Sequence, residues 1–136
     1  MRLTFLLALV GYTLLAQPPE DPLREALFPP ESIMQHQQAL GLSDDQKNTL
    51  KNDLRQAQVR FSELQWALED AMERLVTLLK APKVDEKAAA EQLDKVLNAE
   101  REVKRAQLML LVRLKNSLST AQQAQLRDLL QKSRTR

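Results

Sequence analysis

Between Ser43 and Lys80 the chain contains neither glycine nor proline, and its apolar residues follow one rule. Leu50, Leu54, Ala57, Phe61, Leu64, Leu68, Ala71, Leu75 and Leu79 recur at steps of four and three. That alternation is a heptad seam sustained for about four heptads, and a helix carrying such a seam must bury it against another long helix. The ends of this helix are also legible. Ser43 is an N-cap whose Gln46, three residues on, can reach back to the cap's own backbone N–H. Asp44 and Asp45 put negative charge in the first turn, where the macrodipole favours it. Pro82 disfavours helical geometry at Ala81, so the helix should end near Lys80.

The required partner follows at once. Asp85 can cap a second helix, with Glu86 in its first turn and a helix-favouring stretch from Ala88 to Gln92 behind it. Its seam is read as Ala89, Leu93, Val96, Val103, Leu110 and Leu114, with Glu100 and Gln107 filling the slots between. Leu97, Leu108 and Leu111 make a second row. A short break between two long periodic helices predicts an antiparallel hairpin. Helices of about 35 residues would be roughly 50 Å long, which is more apolar length than one hairpin seam can cover. The run Leu108 to Val112 sharpens the point, because consecutive apolar residues point all round a helix. A last helix starting at Ser119 puts Leu126, Leu129 and Leu130 on one side and should fold back over part of that run. The predicted fold is therefore all-α: a long antiparallel helical hairpin with short helices at each end.

Upstream, Pro18, Pro19, Pro22, Pro29 and Pro30 crowd a stretch without helical periodicity, so residues 17–30 read as an extended, flexible arm. Glu31 to Leu40 follows as a short helix with Ile33, Met34, Gln37 and Leu40 along one side and Gly41 as its C′ residue. Residues 31–132 form the helical domain, and 133–136 a basic tail. Residues 1–16 read as a secretory signal: Arg2 supplies positive charge, Leu3 to Leu15 carry no charged residue, and Ala16 is a small residue at the cut. A retained leader would instead anchor the chain at the outer face of the inner membrane. Either way the body is expected outside the cytoplasm.

Composition narrows the function classes. The formal charge is +2 with both signs interspersed, and the basic residues near the C-terminus, Arg127, Lys132, Arg134 and Arg136, read as a solvated helix end and not as a nucleic-acid footprint. There is no cysteine and one histidine, His36, so a hydrolytic triad or a multi-histidine metal centre cannot be built within one chain. Carboxylate pairs such as Glu69-Asp70 and Glu100-Glu102 read as solvated helix faces. No enzyme activity and no cofactor are expected.

The two helix starts are versions of one pattern. Leu42-Ser43-Asp44-Asp45-Gln46 recurs as Leu118-Ser119-Thr120-Ala121-Gln122, in each case an apolar N′ residue, a hydroxyl cap and a glutamine at N3. Flanking a helical hairpin behind a leader, this pair resembles the Spy/CpxP family of periplasmic stress proteins, marked by paired Leu-Thr-x-x-Gln motifs. Related periplasmic zinc-binding and nickel/cobalt-sensing proteins share the hairpin. The resemblance covers about Glu31 to Lys132, with Ser at both positions where the family usually has Thr. It implies a four-helix protein that dimerises into a thin curved cradle, whose concave face holds unfolded or aggregation-prone envelope proteins without ATP. The chain agrees in having no phosphate-cradling glycine loop.

The candidate binding or dimer surface comprises Val59, Trp66 and Met72 on the first long helix, with Leu108, Met109, Leu111 and Val112 on the second. Trp66 lies off the leucine seam on a face shared with Val59 and, less closely, Met72. A large aromatic with flexible methionine nearby suits adaptable binding. For metal, His36, Asp44, Asp45 and Met109 are the only candidates, each with an ordinary structural role as its alternative. Three functions follow as expectations: a periplasmic holdase in a stress response, a periplasmic metal-binding or metal-sensing protein, and a dimeric helical module for one dedicated partner such as a membrane-bound regulator.

Overall fold

A computed structural model describes residues 22–136, and every regular element among them is helical. The segments are α1 (Pro22–Ala26), α2 (Pro30–Gln35), α3 (Asp44–Leu79), α4 (Glu86–Asn116) and α5 (Thr120–Arg134). The caps explain the boundaries. Ser43 and Ser119 sit in extended geometry before α3 and α5, and each accepts the N3 backbone N–H on its side-chain oxygen. Asp85 does the same for α4 through Ala88. Such caps satisfy donors that a helix start otherwise leaves unpaired.

With 36 and 31 residues, α3 and α4 are about 54 and 46 Å long. They pack against each other along their length as the expected hairpin, joined by residues 80–85. On α3 the seam stands as read from Leu50 to Leu75, all of it buried or half-buried. At the tip it shifts by one residue: Leu78 is half-buried and Leu79 is exposed.

On α4 the seam differs from the expected one. Leu93 is exposed, and Gln92 is buried in its place, its Nε2 donating to the Ala71 carbonyl across the hairpin at 2.8 Å. Glu100 and Gln107 are exposed, while Ala99 and Ala106 face inward. The observed row is Gln92, Val96, Ala99, Val103, Ala106, Leu110 and Leu114, again at steps of four and three. The expected and observed rows share Val96, Val103, Leu110 and Leu114 and differ at the alternate positions, where Gln92, Ala99 and Ala106 face inward in place of Leu93, Glu100 and Gln107.

The core is concentrated at the end of the hairpin away from its loop. There Phe28, Ile33, Leu40, Leu42, Leu50, Leu110, Leu114, Leu118 and Leu126 form one buried cluster, with Leu54, Ala57, Phe61 and Leu130 packed against it. Leu110, from the Leu108–Val112 run, shares this cluster with Leu126 of α5.

Two departures concern the N-terminal side. The stretch read as an extended arm contains the helical turn α1, and Phe28 is buried in the core with the Arg127 guanidinium 5.6 Å from its ring centroid. Lys115 Nζ also donates to the Ala26 carbonyl at 3.0 Å, placing a cation at the C-terminal end of α1. The apolar partner, not local periodicity, orders this segment. The helix expected over Glu31–Leu40 is regular only to Gln35 and continues to Gly41 as hydrogen-bonded turns. Gly41 is the C′ residue, at φ 62, with Gly41 N–H donating to Gln38 O and Leu42 N–H to Gln37 O. That pair of bonds is a Schellman closure. The leader, residues 1–16, and the start of the arm lie outside the described residues.

Paired capping motifs and candidate interaction surfaces

The repeated motif forms one polar node. Both caps have nearly the same backbone, φ −68 and ψ 162 at Ser43 and φ −66 and ψ 161 at Ser119. Gln46 Oε1 accepts the Ser43 N–H at 3.0 Å, and Gln122 Oε1 accepts the Ser119 N–H at 2.9 Å. The two amides then face each other. Gln46 Nε2 donates to Gln122 Oε1 at 2.7 Å, and Gln122 Nε2 donates to Gln46 Oε1 at 3.2 Å. Each spends its remaining proton on a carbonyl at the end of the preceding segment, Gln46 on Ser117 and Gln122 on Leu40.

Every donor and both acceptor sites of the two side-chain amides are therefore used. A glutamate could close either capping box by itself, yet it has no N–H to give, so the reciprocal pair requires glutamine at both positions. The apolar N′ residues, Leu42 and Leu118, are buried in the core beside the node. Gln123 and Gln125 extend the same logic: Gln123 Nε2 donates to the Lys115 and Leu118 carbonyls, and Gln125 Nε2 to the Ala39 carbonyl. These six motif residues (Leu42, Ser43, Gln46, Leu118, Ser119 and Gln122) thus tie the starts of α3 and α5 together. The capping role was legible in the sequence. The cross-pairing was not, because it joins residues 76 apart.

The candidate surface residues separate onto three faces. Val59 and Trp66, 59% and 70% exposed, lie on the side of α3 opposite its seam, where Ser62, Gln65 and Glu69 border the indole. Met72 does not share that face. At 3.6 residues per turn it flanks the seam instead, together with Val76 and Leu79, both exposed. The run on α4 divides around its helix as expected. Met109 opens on one side of the hairpin, in a shallow groove with Phe61 and Leu64 at its floor and Arg60, Arg105 and Arg113 at its rim. Leu108 and Leu111 open on the other, beside Leu23, Phe61 and Lys104. Leu111 and Val112 are half-buried.

The sequence reading missed one feature of the second side. Met72, Val76 and Leu79 of α3 fall on the same side of the hairpin as Leu93 and Leu97 of α4, and all five are exposed. The signal available was the register of α4: moving the seam from Leu93 to Gln92 turns Leu93 outward, beside Leu97, which the sequence already places in a second row.

The metal candidates are not brought together. His36 is half-buried and its Nδ1 lies 2.8 Å from the Ser32 carbonyl, so Nδ1 carries the proton and donates. Asp44 and Asp45 are exposed in the first turn of α3, and Met109 lies on the groove face of α4. Among the described residues no group of three or more His, Cys, Asp or Glu is placed to hold a metal ion. Among the same residues no helix is long and apolar enough to cross a membrane.

Comparison with known proteins returns one result of substance. No curated protein and no solved structure matches the chain. A family model described as heavy-metal resistance matches residues 3–125. That span contains α1 to α4, both capping motifs and the start of α5, and on it the chain belongs to the heavy-metal resistance family.

Proposed function

We propose that this member of the heavy-metal resistance family is an ATP-independent, chaperone-like binding protein of the Spy/CpxP type, acting on unfolded or aggregation-prone envelope proteins in a stress response. In this reading it works outside the cytoplasm, in the periplasm, as a homodimer and not as an enzyme. The observation that carries the proposal is the amount of large apolar side chain left in water on the two long helices. Trp66, Val59, Leu79 and Leu97 are more than half exposed, and Met72, Val76, Leu93 and Met109 are also exposed. Met72, Val76, Leu79, Leu93 and Leu97 lie together on one side of the hairpin, and apolar side chains grouped in that way, unlike single scattered ones, mark an interaction surface. The groups are chemically suited to varied clients, since an indole and flexible thioethers adapt to different apolar segments.

The test is aggregation suppression of a denatured client by the purified protein, with and without zinc. Protection at near-stoichiometric amounts without metal is the expected outcome. Failure in both conditions would sink the reading and favour a helical module for one dedicated partner.

A second reading is favoured by the family description itself: metal binding or metal sensing, for which His36, Asp44 and Asp45 are the candidate ligands although the fold does not gather them into one group. Calorimetry with zinc, nickel, cobalt and copper tests it. Binding weaker than about millimolar for all four would end it.

A further inference from the structure

One stripe of α4 reads almost the same in both directions. About a third of a turn from the hairpin seam, Leu93, Leu97, Glu100, Lys104, Leu108 and Leu111 follow each other at steps of four, three, four, four and three. Apolar pairs stand at both ends and an acid and a base stand in the middle. Laid antiparallel on a second copy of itself, the stripe matches each residue with a suitable partner. Leu97 meets the partner's Leu108, Leu93 meets the partner's Leu111, and Glu100 meets the partner's Lys104. Each of these contacts occurs twice, as an isologous two-fold interface demands.

The surroundings agree. Leu93, Leu97 and Leu108 are exposed and Leu111 is half-buried. Glu100 and Lys104 are exposed, and neither takes part in the ion pairs found among the described residues, Arg60–Glu63 and Lys132–Asp128. Apolar flanks lie alongside the stripe, Met72 and Val76 at one end and Leu23 at the other, where a partner helix would cover them. The paired stretch is about 28 Å long.

We infer that this stripe is a self-complementary dimer interface, in which α4 packs antiparallel on α4 of a second copy about a two-fold axis near residue 102. The register sets an apolar layer on each side of a central pair of Glu–Lys contacts. The inference rests on the homodimer in the proposed function and gives it a face and a register. Client protection is not its readout, so failure of the chaperone reading leaves the following test intact.

The purified protein and three variants, Glu100→Lys, Lys104→Glu and the double reversal, are compared by sedimentation equilibrium, with circular dichroism as a check on helix content. Each single reversal sets like charges against each other twice and should weaken dimerisation at least about tenfold. The double reversal restores opposite charges across the axis and should return the dissociation constant to within about threefold of the unmodified protein. A chain that stays monomeric up to about 100 μM would overturn the inference, as would single reversals without effect or a double reversal no better than the singles. The absence of native cysteine allows a direct check of register. A mixture of Leu97→Cys and Leu108→Cys proteins should form a disulfide-linked heterodimer on mild oxidation. Leu97→Cys alone should not, and preferential linkage of Leu97→Cys to itself would overturn the register.

Discussion

At the scale of single residues, the informative positions are the two glutamines of the repeated motif. Gln46 and Gln122 each close a local capping box and also each other's remaining hydrogen bonds, so their amides cannot be replaced one at a time without leaving a group unpaired. Gln46→Glu should destabilise the fold by about 1–3 kcal/mol, because it removes two donors and points a carboxylate at the Ser117 carbonyl and the Gln122 amide oxygen. Urea unfolding of the variant measures this directly, and an unchanged midpoint would contradict the account of the node. Trp66 is the opposite case. At 70% exposure it contributes little to folding, so Trp66→Ala should alter stability by no more than about 0.5 kcal/mol. As the single tryptophan it also reports its own surroundings. Under the proposed function its emission should shift to the blue when a denatured client is added, and aggregation suppression should weaken in Trp66→Ala.

Among the elements, the α4 side of the hairpin seam carries one polar residue in an otherwise aliphatic and alanine row. Gln92 donates to the Ala71 carbonyl, an acceptor already inside the hydrogen-bond ladder of α3, so removal of the amide orphans nothing on the facing helix. Gln92→Leu should therefore be neutral or stabilise by up to about 1 kcal/mol in thermal or denaturant unfolding. A loss of more than about 1 kcal/mol would show that the amide is needed for packing as well as register. The amide ties one level of α4 to one level of α3, the kind of contact by which a single buried polar residue can fix register in a coiled coil. The caps are graded similarly, and Asp85→Ala at the start of α4 should cost about 1 kcal/mol, since it frees the Ala88 N–H held at 3.1 Å.

For the whole molecule, the distribution of burial divides the rod into unequal ends. The cluster built from Phe28, Ile33, Leu50, Leu114 and Leu126 lies at the end away from the hairpin loop, and the other half is held mainly by Leu64, Leu75, Gln92 and Val96. Leu126 is 0% exposed, and Leu126→Ala should cost about 2–5 kcal/mol in denaturant unfolding. Local opening costs least where few buried contacts must be broken. Amide hydrogen exchange should therefore be faster in residues 72–95 around the hairpin loop than in the capped starts of α3 and α5. Uniform protection along α3 would contradict this division. A thin rod with its core at one end leaves long helical faces in water, and that exposure, not a pocket, is what the fold offers to a partner.

Much of this architecture was legible in order. Period, caps and breakers determined that the chain is all-α, that two long helices form a hairpin, and that Ser43, Asp85 and Ser119 begin helices. Those signals act within a few residues of the backbone they govern, and the sequence displays such distances directly. Tertiary structure decided the rest. On α4 the rows led by Leu93 and Gln92 are alike in periodicity, and it is in the packed hairpin that Gln92 is buried against α3 and Leu93 is left exposed. The ordering of Pro22–Ala26 and Phe28 depends on Arg127, Lys115 and the core, which lie far away along the chain. The pairing of Gln46 with Gln122 is the same kind of fact, since each motif alone specifies a cap and only the fold brings the two glutamine amides within 2.7 Å. Local propensity is written in neighbours, whereas register and cross-pairing follow from which surfaces meet, and those surfaces exist only once the helices have formed.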